Sequence, residues 1–117
     1  MRKPPFYKSV KYALEGILTC IQNERTIKIH MGMVCLVTIA GIIFSINQFE
    51  WIICILLFGF VIGLEMINTA IEAVVDLCSP QFHPLAKVAK DVSAGAVLVA
   101  SIAAAIIGLL IFIPYIF

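Results

Sequence analysis

The stretch 51–77 reads WIICILLFGFVIGLEMINTAIEAVVDL, with no charged side chain from Trp51 to Leu64 and then three acids, Glu65, Glu72 and Asp76. About 20 apolar residues, rising ~1.5 Å each, cross a bilayer's ~30 Å hydrocarbon core. The stretch therefore predicts a transmembrane helix over 51–77 whose last turns leave the hydrocarbon. At about 100° per residue, Asn68 falls about 60° to one side of Glu65, Glu72 about 20° to that side, and Asp76 and Thr69 about 20° and 40° to the other. Met66, Ile67, Ala70, Ile71, Ala73 and Val74 cover the remaining surface. Ionisable groups at membrane depth are costly and face a bundle interior or a wet cavity. The stripe marks a chemical site, a polar seam that specifies helix packing, or an ion path; spacing alone leaves these open.

Depth adds to this. Counted from Trp51, Glu65 lies ~21 Å in and Glu72 ~31 Å in. Against a core ~30 Å thick, Glu65 stands just inside the inner boundary, Glu72 at it and Asp76 beyond it. A group at Glu65 can meet a lipid hydroxyl, while Glu72 and Asp76 can meet a soluble molecule.

Outward from this helix, 29–46 and 92–117 predict two further spans, and the whole chain 1–117 reads as one all-α integral membrane domain. Its 117 residues are 62% hydrophobic, with a mean hydropathy of +1.10. A soluble domain of this size needs a larger polar fraction. The formal net charge of +1 gives no sign of a nucleic-acid partner. Cys20, Cys35, Cys54 and Cys78 lack CxxC spacing, so they read as small apolar side chains rather than a disulfide framework or zinc site. No cleavable signal peptide is expected, because the first apolar run starts only near Ile29 after a long polar segment.

Charge sets the expected orientation. Arg2, Lys3, Lys8, Lys11, Arg25 and Lys28 precede the first span, and Lys87 and Lys90 lie in the 78–91 connection; these are all eight basic residues. Cytoplasmic flanks carry the Lys and Arg excess, so the N-terminus and 78–91 are expected in the cytoplasm and the C-terminus outside. Pro80 and Pro84 are expected to break helix in that connection, and NQFE (47–50) to join the first two spans. Over 6–24, Val10, Ala13, Leu14, Ile17, Leu18 and Ile21 recur at helical spacing, which predicts an amphipathic surface helix. In the last span, Ala96, Ala100, Ala104 and Gly108 stand four apart, a spacing that lets helix backbones approach closely.

The cytoplasmic side gathers the parts of phosphoryl transfer. Glu24 and Glu72 are candidate Mg²⁺ ligands, since that ion often takes one or two carboxylates when phosphates supply other oxygens. Lys90 is a candidate to neutralise a transferring phosphoryl group. Glu65 is a candidate to accept a lipid hydroxyl's proton. No GxxxxGK[ST] loop and no protein-kinase Gly-rich loop is present, which excludes those folds.

EMINTAIEAVVD (65–76), preceded by NE (23–24) and followed by AKD (89–91), closely resembles the prokaryotic diacylglycerol kinase family. These are small three-helix membrane enzymes. The resemblance implies a homotrimeric bundle with sites shared between chains in the bacterial cytoplasmic membrane, using ATP as co-substrate with Mg²⁺. It implies Glu65 as the base, Asn68 as support for the catalytic centre, and Glu24 and Glu72 as metal ligands. Tyr12, Glu24, Glu72, Asp76, Gln81, Phe82, His83, Lys90 and Asp91 would contact nucleotide, and Leu14 and Ala94, beside Glu65, the lipid. SPQFHPLAKVAKD (79–91) and the closing FIPYIF are similar to the Gram-positive branch, which is associated with undecaprenol kinase activity. Leu14 and Glu15 stand where the Gram-negative diacylglycerol kinases carry a Trp-Lys pair, which points the same way. The leading expectation is an undecaprenol kinase. The alternatives are a diacylglycerol kinase, a small proton-coupled transporter using Glu65, and an assembly protein.

Overall fold

The computed structural model describes residues 3–117; Met1 and Arg2, the second of them counted in the basic N-terminal segment, lie outside the described residues. Four helices follow one another: α1 (Phe6–Asn23), α2 (Arg25–Phe44), α3 (Gln48–Cys78) and α4 (Pro84–Ile116). Among the described residues there is no strand. The last three are each long and apolar enough to cross a membrane. This is an all-α membrane protein with three spanning helices and one helix before them. At ~1.5 Å per residue, α3 and α4 run ~46 and ~50 Å, longer than a ~30 Å core, so both extend beyond it.

α1 starts directly after Pro4 and Pro5, where the missing N–H costs a helix nothing. Its apolar residues Val10, Leu14, Ile17 and Leu18 stay exposed, and only Cys20, near its end, is buried. Glu24 alone separates α1 from α2: its backbone turns extended (φ −106°, ψ 124°), while its N–H still bonds the Cys20 carbonyl. α2 presents Ile27, His30, Val34, Val37 and Gly41 inward, at helical spacing, and ends at Ser45 in the left-handed region (φ 52°).

The joint between α2 and α3 is tighter than the sequence reading had it. NQFE (47–50) is the start of α3: Asn47 accepts a hydrogen bond from the Glu50 N–H, and Glu50 accepts one from the Asn47 N–H. This reciprocal pair satisfies two of the four donors a helix start leaves open. The Trp51 indole then lies against Gly41, where an added Cβ would come within 2.7 Å of the ring. Ile46, Cys54 and Ile111 form the buried core at this end, with Phe44, Trp51, Phe58 and Phe112 around it.

α3 packs most extensively on α4. The face α4 gives to α3 carries Ser93, Val97, Ala100 and Ile111, with Ala104 and Gly108 half-buried on it. Ala96 is exposed, so the four-residue repeat of small side chains starts one step off this face. Pro84 is a second correction. It opens α4 at the first turn instead of breaking helix, while His83 Nδ1 accepts the Leu85 N–H at 3.1 Å. A first-turn position demands no N–H, and the proline φ already suits a helix. The non-helical connection is accordingly only Ser79–His83, and α4 begins well before the apolar run at Val92.

Candidate active site

Three polar side chains are buried among the described residues, and all three lie where α3 meets its neighbours: Glu65, Asn68 and Ser93. Buried polar groups in an apolar setting require partners. Asn68 has two: its Nδ2 donates to Glu72 Oε1 at 3.1 Å, and its Oδ1 accepts from Ser93 Oγ at 2.6 Å. Ser93 Oγ also lies 3.0 Å from the Lys90 carbonyl, one turn back along α4. Asn68 thus fixes the Glu72 carboxylate from one side while α4 fixes Asn68 from the other. Sequence reading missed Ser93. The available signal was a lone hydroxyl three residues past Lys90, on the stripe with Val97 and Ala100.

Glu65 is 2% exposed. Its backbone carbonyl accepts from Thr69 Oγ1, and Thr69 in turn takes a weak contact from the Cys20 thiol of α1 at 3.6 Å. Its carboxylate faces His30 of α2, with Oε2 3.3 Å from Nε2. The two atoms are not aligned, so neither completes a hydrogen bond. Glu24 and Glu72 both lie near enough to act on Glu65 electrostatically. The structure therefore brings Glu24, at the joint of α1 and α2, into one region with Glu65, Asn68 and Glu72 of α3.

Further along the stripe, Asp76 Oδ1 pairs with Lys90 Nζ at 2.5 Å, and Lys87 with Asp91 at 2.5 Å. Both pairs are solvated, so their worth lies in orientation more than in stability. Lys90 precedes the apolar span; its hydrogen bond to Asp76 pushes the ammonium above the ordinary lysine value, and nearby Glu72 adds to this. Six sequence-predicted residues, Asp76, Gln81, Phe82, His83, Lys90 and Asp91, line one open pocket of about 380 Å³ between the ends of α3 and α4. Tyr12, Leu14 and Ala94 are exposed on the outer surfaces of α1 and α4. Tyr12 makes no side-chain hydrogen bond to the cluster among the described residues.

Among the described residues, no set of three or more His, Cys, Asp or Glu side chains converges as a metal cage. The donors fit a different kind of ion. Glu24 and Glu72 are two hard carboxylates near Glu65, a donor chemistry that Mg²⁺ accepts when phosphate oxygens and water complete its shell. A second, apolar groove of about 600 Å³ runs between α2, α3 and α4, walled by residues such as Val37, Val61 and Ala104, with His30 and Ser101 as its polar points.

Comparison with known proteins identifies the family. The family model for prokaryotic diacylglycerol kinase matches residues 11–112. The chain is 46% identical over 109 residues to an undecaprenol kinase of Bacillus subtilis, covering 93% of this chain and 89% of that one. It is 38% identical to a diacylglycerol kinase of Synechocystis, covering 95% of this chain and 64% of the relative. Against a diacylglycerol kinase of Escherichia coli K12 the identity is 30%, over 85% of this chain and 81% of the other. With the match running from the surface helix to the last span, the chain belongs to the prokaryotic diacylglycerol kinase family.

Proposed function

We propose that the protein is a membrane lipid kinase that transfers the γ-phosphate of ATP to the hydroxyl of undecaprenol. The observation that carries this reading is the buried Glu65 carboxylate at the apolar end of a stripe whose other end is a solvated pocket. A lipid hydroxyl at the buried end and a nucleotide phosphate at the solvated end could meet along such a stripe. The 46% identity to an undecaprenol kinase, against 38% and 30% to diacylglycerol kinases, favours undecaprenol as the acceptor.

In this reading Glu65 takes the proton of the lipid hydroxyl as the oxygen attacks phosphorus. Asn68, held by Ser93, keeps the Glu72 carboxylate aimed at the phosphates. Glu24 and Glu72 would hold Mg²⁺, which when bound neutralises charge on the phosphate oxygens. Lys90, already oriented by Asp76, offers positive charge to the transferring group. Asp76, Gln81, Phe82, His83 and Asp91 surround the nucleotide, with Tyr12 approaching from α1. Leu14 and Ala94 border the lipid. The Lys and Arg residues of α1 and of the first turns of α2 and α4 support a cytoplasmic pocket and a C-terminus outside, and family membership supports a homotrimer with sites shared between chains.

The test is phosphate transfer from labelled Mg-ATP in mixed micelles, comparing undecaprenol with diacylglycerol at matched mole fraction. The expected result is preferential labelling of undecaprenol, abolished by Glu65→Gln. Preference for diacylglycerol would keep the mechanism and replace the substrate. Labelling of neither lipid would remove the kinase reading.

A further inference from the structure

His30 has no place in the reaction just described, yet it is the polar interruption in the α2 face that packs on α3. Ile27, one turn before it, is fully buried, and Val34 and Val37 continue the same stripe. The His30 side chain is 16% exposed and that of Glu65 3%. Nε2 and Oε2 face one another at 3.3 Å, both buried, and neither has another partner among the described residues. The groups around them offer no substitute. Asn68 is committed to Glu72 and Ser93, and Thr69 to the Glu65 carbonyl. Glu24 and Glu72 carry the same charge as Glu65. The walls of the adjoining groove are otherwise apolar except for Ser101, whose hydroxyl forms no hydrogen bond to either group.

A buried carboxylate oxygen and a buried ring nitrogen left unmatched are both destabilising, and a small rotation would align them in a charge-assisted hydrogen bond. We propose that His30 is a positioning residue for Glu65: its Nε2–H holds Oε2, so that the other carboxylate oxygen is turned toward the lipid hydroxyl. This rests on the reading of Glu65 as the base. His30 neither gains nor loses a proton in the step. The hydroxyl proton ends on the free oxygen of Glu65, the lipid oxygen bonds the γ-phosphorus, and the bond from that phosphorus to ADP breaks. Without His30 the carboxylate can turn both oxygens among several rotamers, and the fraction in attacking geometry falls.

Kinetics in undecaprenol micelles test this with His30→Leu, His30→Gln and Glu65→Gln, each checked for folding by thermal unfolding; His30→Met replaces the leucine variant if that one does not fold. His30→Leu fills the stripe but donates nothing, and should lower kcat about tenfold or more, the scale seen when an orienting partner is lost, with KM for both substrates nearly unchanged. His30→Gln carries an N–H to about the position of Nε2 and should restore most of kcat. A role in packing alone predicts the reverse order, with leucine tolerated at least as well as glutamine. Wild-type kcat in His30→Leu, or equal loss in both variants, overturns the proposal. Activity retained in Glu65→Gln overturns the base reading beneath it, and is read separately.

Discussion

The two ends of the helical bundle are held together in opposite ways. At the Trp51 end the contacts are apolar and close. The Trp51 ring fills the space over Gly41, the Phe44 and Phe112 rings meet tilted at 6.2 Å and 55°, and Ile46, Cys54 and Ile111 are buried together. The polar groups there serve the ends of the helices: Asn47 and Glu50 cap α3, and the Tyr115 hydroxyl donates to Glu50. At the Glu72 end the helices meet through side-chain hydrogen bonds, Ser93 to Asn68 to Glu72, and leave Glu65 and His30 unmatched. The comparison teaches a division of labour. Apolar contacts hold the helices at one end, and unmatched polar groups stand at the other, where the proposed reaction would use them.

The comparison breaks most visibly at Glu65. Glu65→Gln should abolish lipid phosphorylation, a loss of about 10²-fold or more. It should leave thermal stability in detergent unchanged or raised, because a neutral amide costs less to bury than a carboxylate. A melting curve and a labelling assay on one preparation check both halves, and a large drop in stability would contradict the division. Gly41→Leu is the mirror experiment. Its side chain must displace the Trp51 ring, at a cost of about 1–3 kcal/mol, while kcat per folded molecule stays near wild type. Denaturant titration in micelles reads the first and active-fraction kinetics the second.

Ser93→Ala lies between these extremes. It removes the donor to Asn68, which should cost about 1 kcal/mol in stability and also lower kcat by loosening Glu72. Raised Mg²⁺ should recover part of the activity if Glu72 is a ligand. Asn47→Ala sharpens the contrast with the smallest effect. Losing the cap should cost about 0.5–1 kcal/mol, with no change in either KM, measured by the same unfolding and kinetic assays.

The spans, the amphipathic first helix and the acidic stripe were legible because each is a periodicity within one segment. Glu65 and Asn68 could be put on one face by counting along α3. What counting does not contain is the rotation of one helix about its axis relative to the next. That rotation brings His30 of α2 to Glu65, and Ser93 of α4 to Asn68, and both partners escaped notice for this reason. Two local features were readable and were misjudged. Asn47 and Glu50 have the spacing of a reciprocal cap, but the apolar run begins at Trp51 and drew the boundary there. Pro84 looked like a breaker because prolines usually are, although its place directly after His83 fits the first turn of α4.

The one-residue joint at Glu24 has a mechanical consequence. The chain turns between α1 and α2 at a single residue, and beyond Cys20, which is buried against Thr69 of α3, most of α1 is exposed. If the long exposed arm of α1 rocks about that joint, Phe6 sweeps widely while the Glu24 carboxylate, beside the fulcrum, scarcely shifts. A lever pinned at its short end can follow an undulating surface and still keep its pivot in register with Glu65 and Glu72.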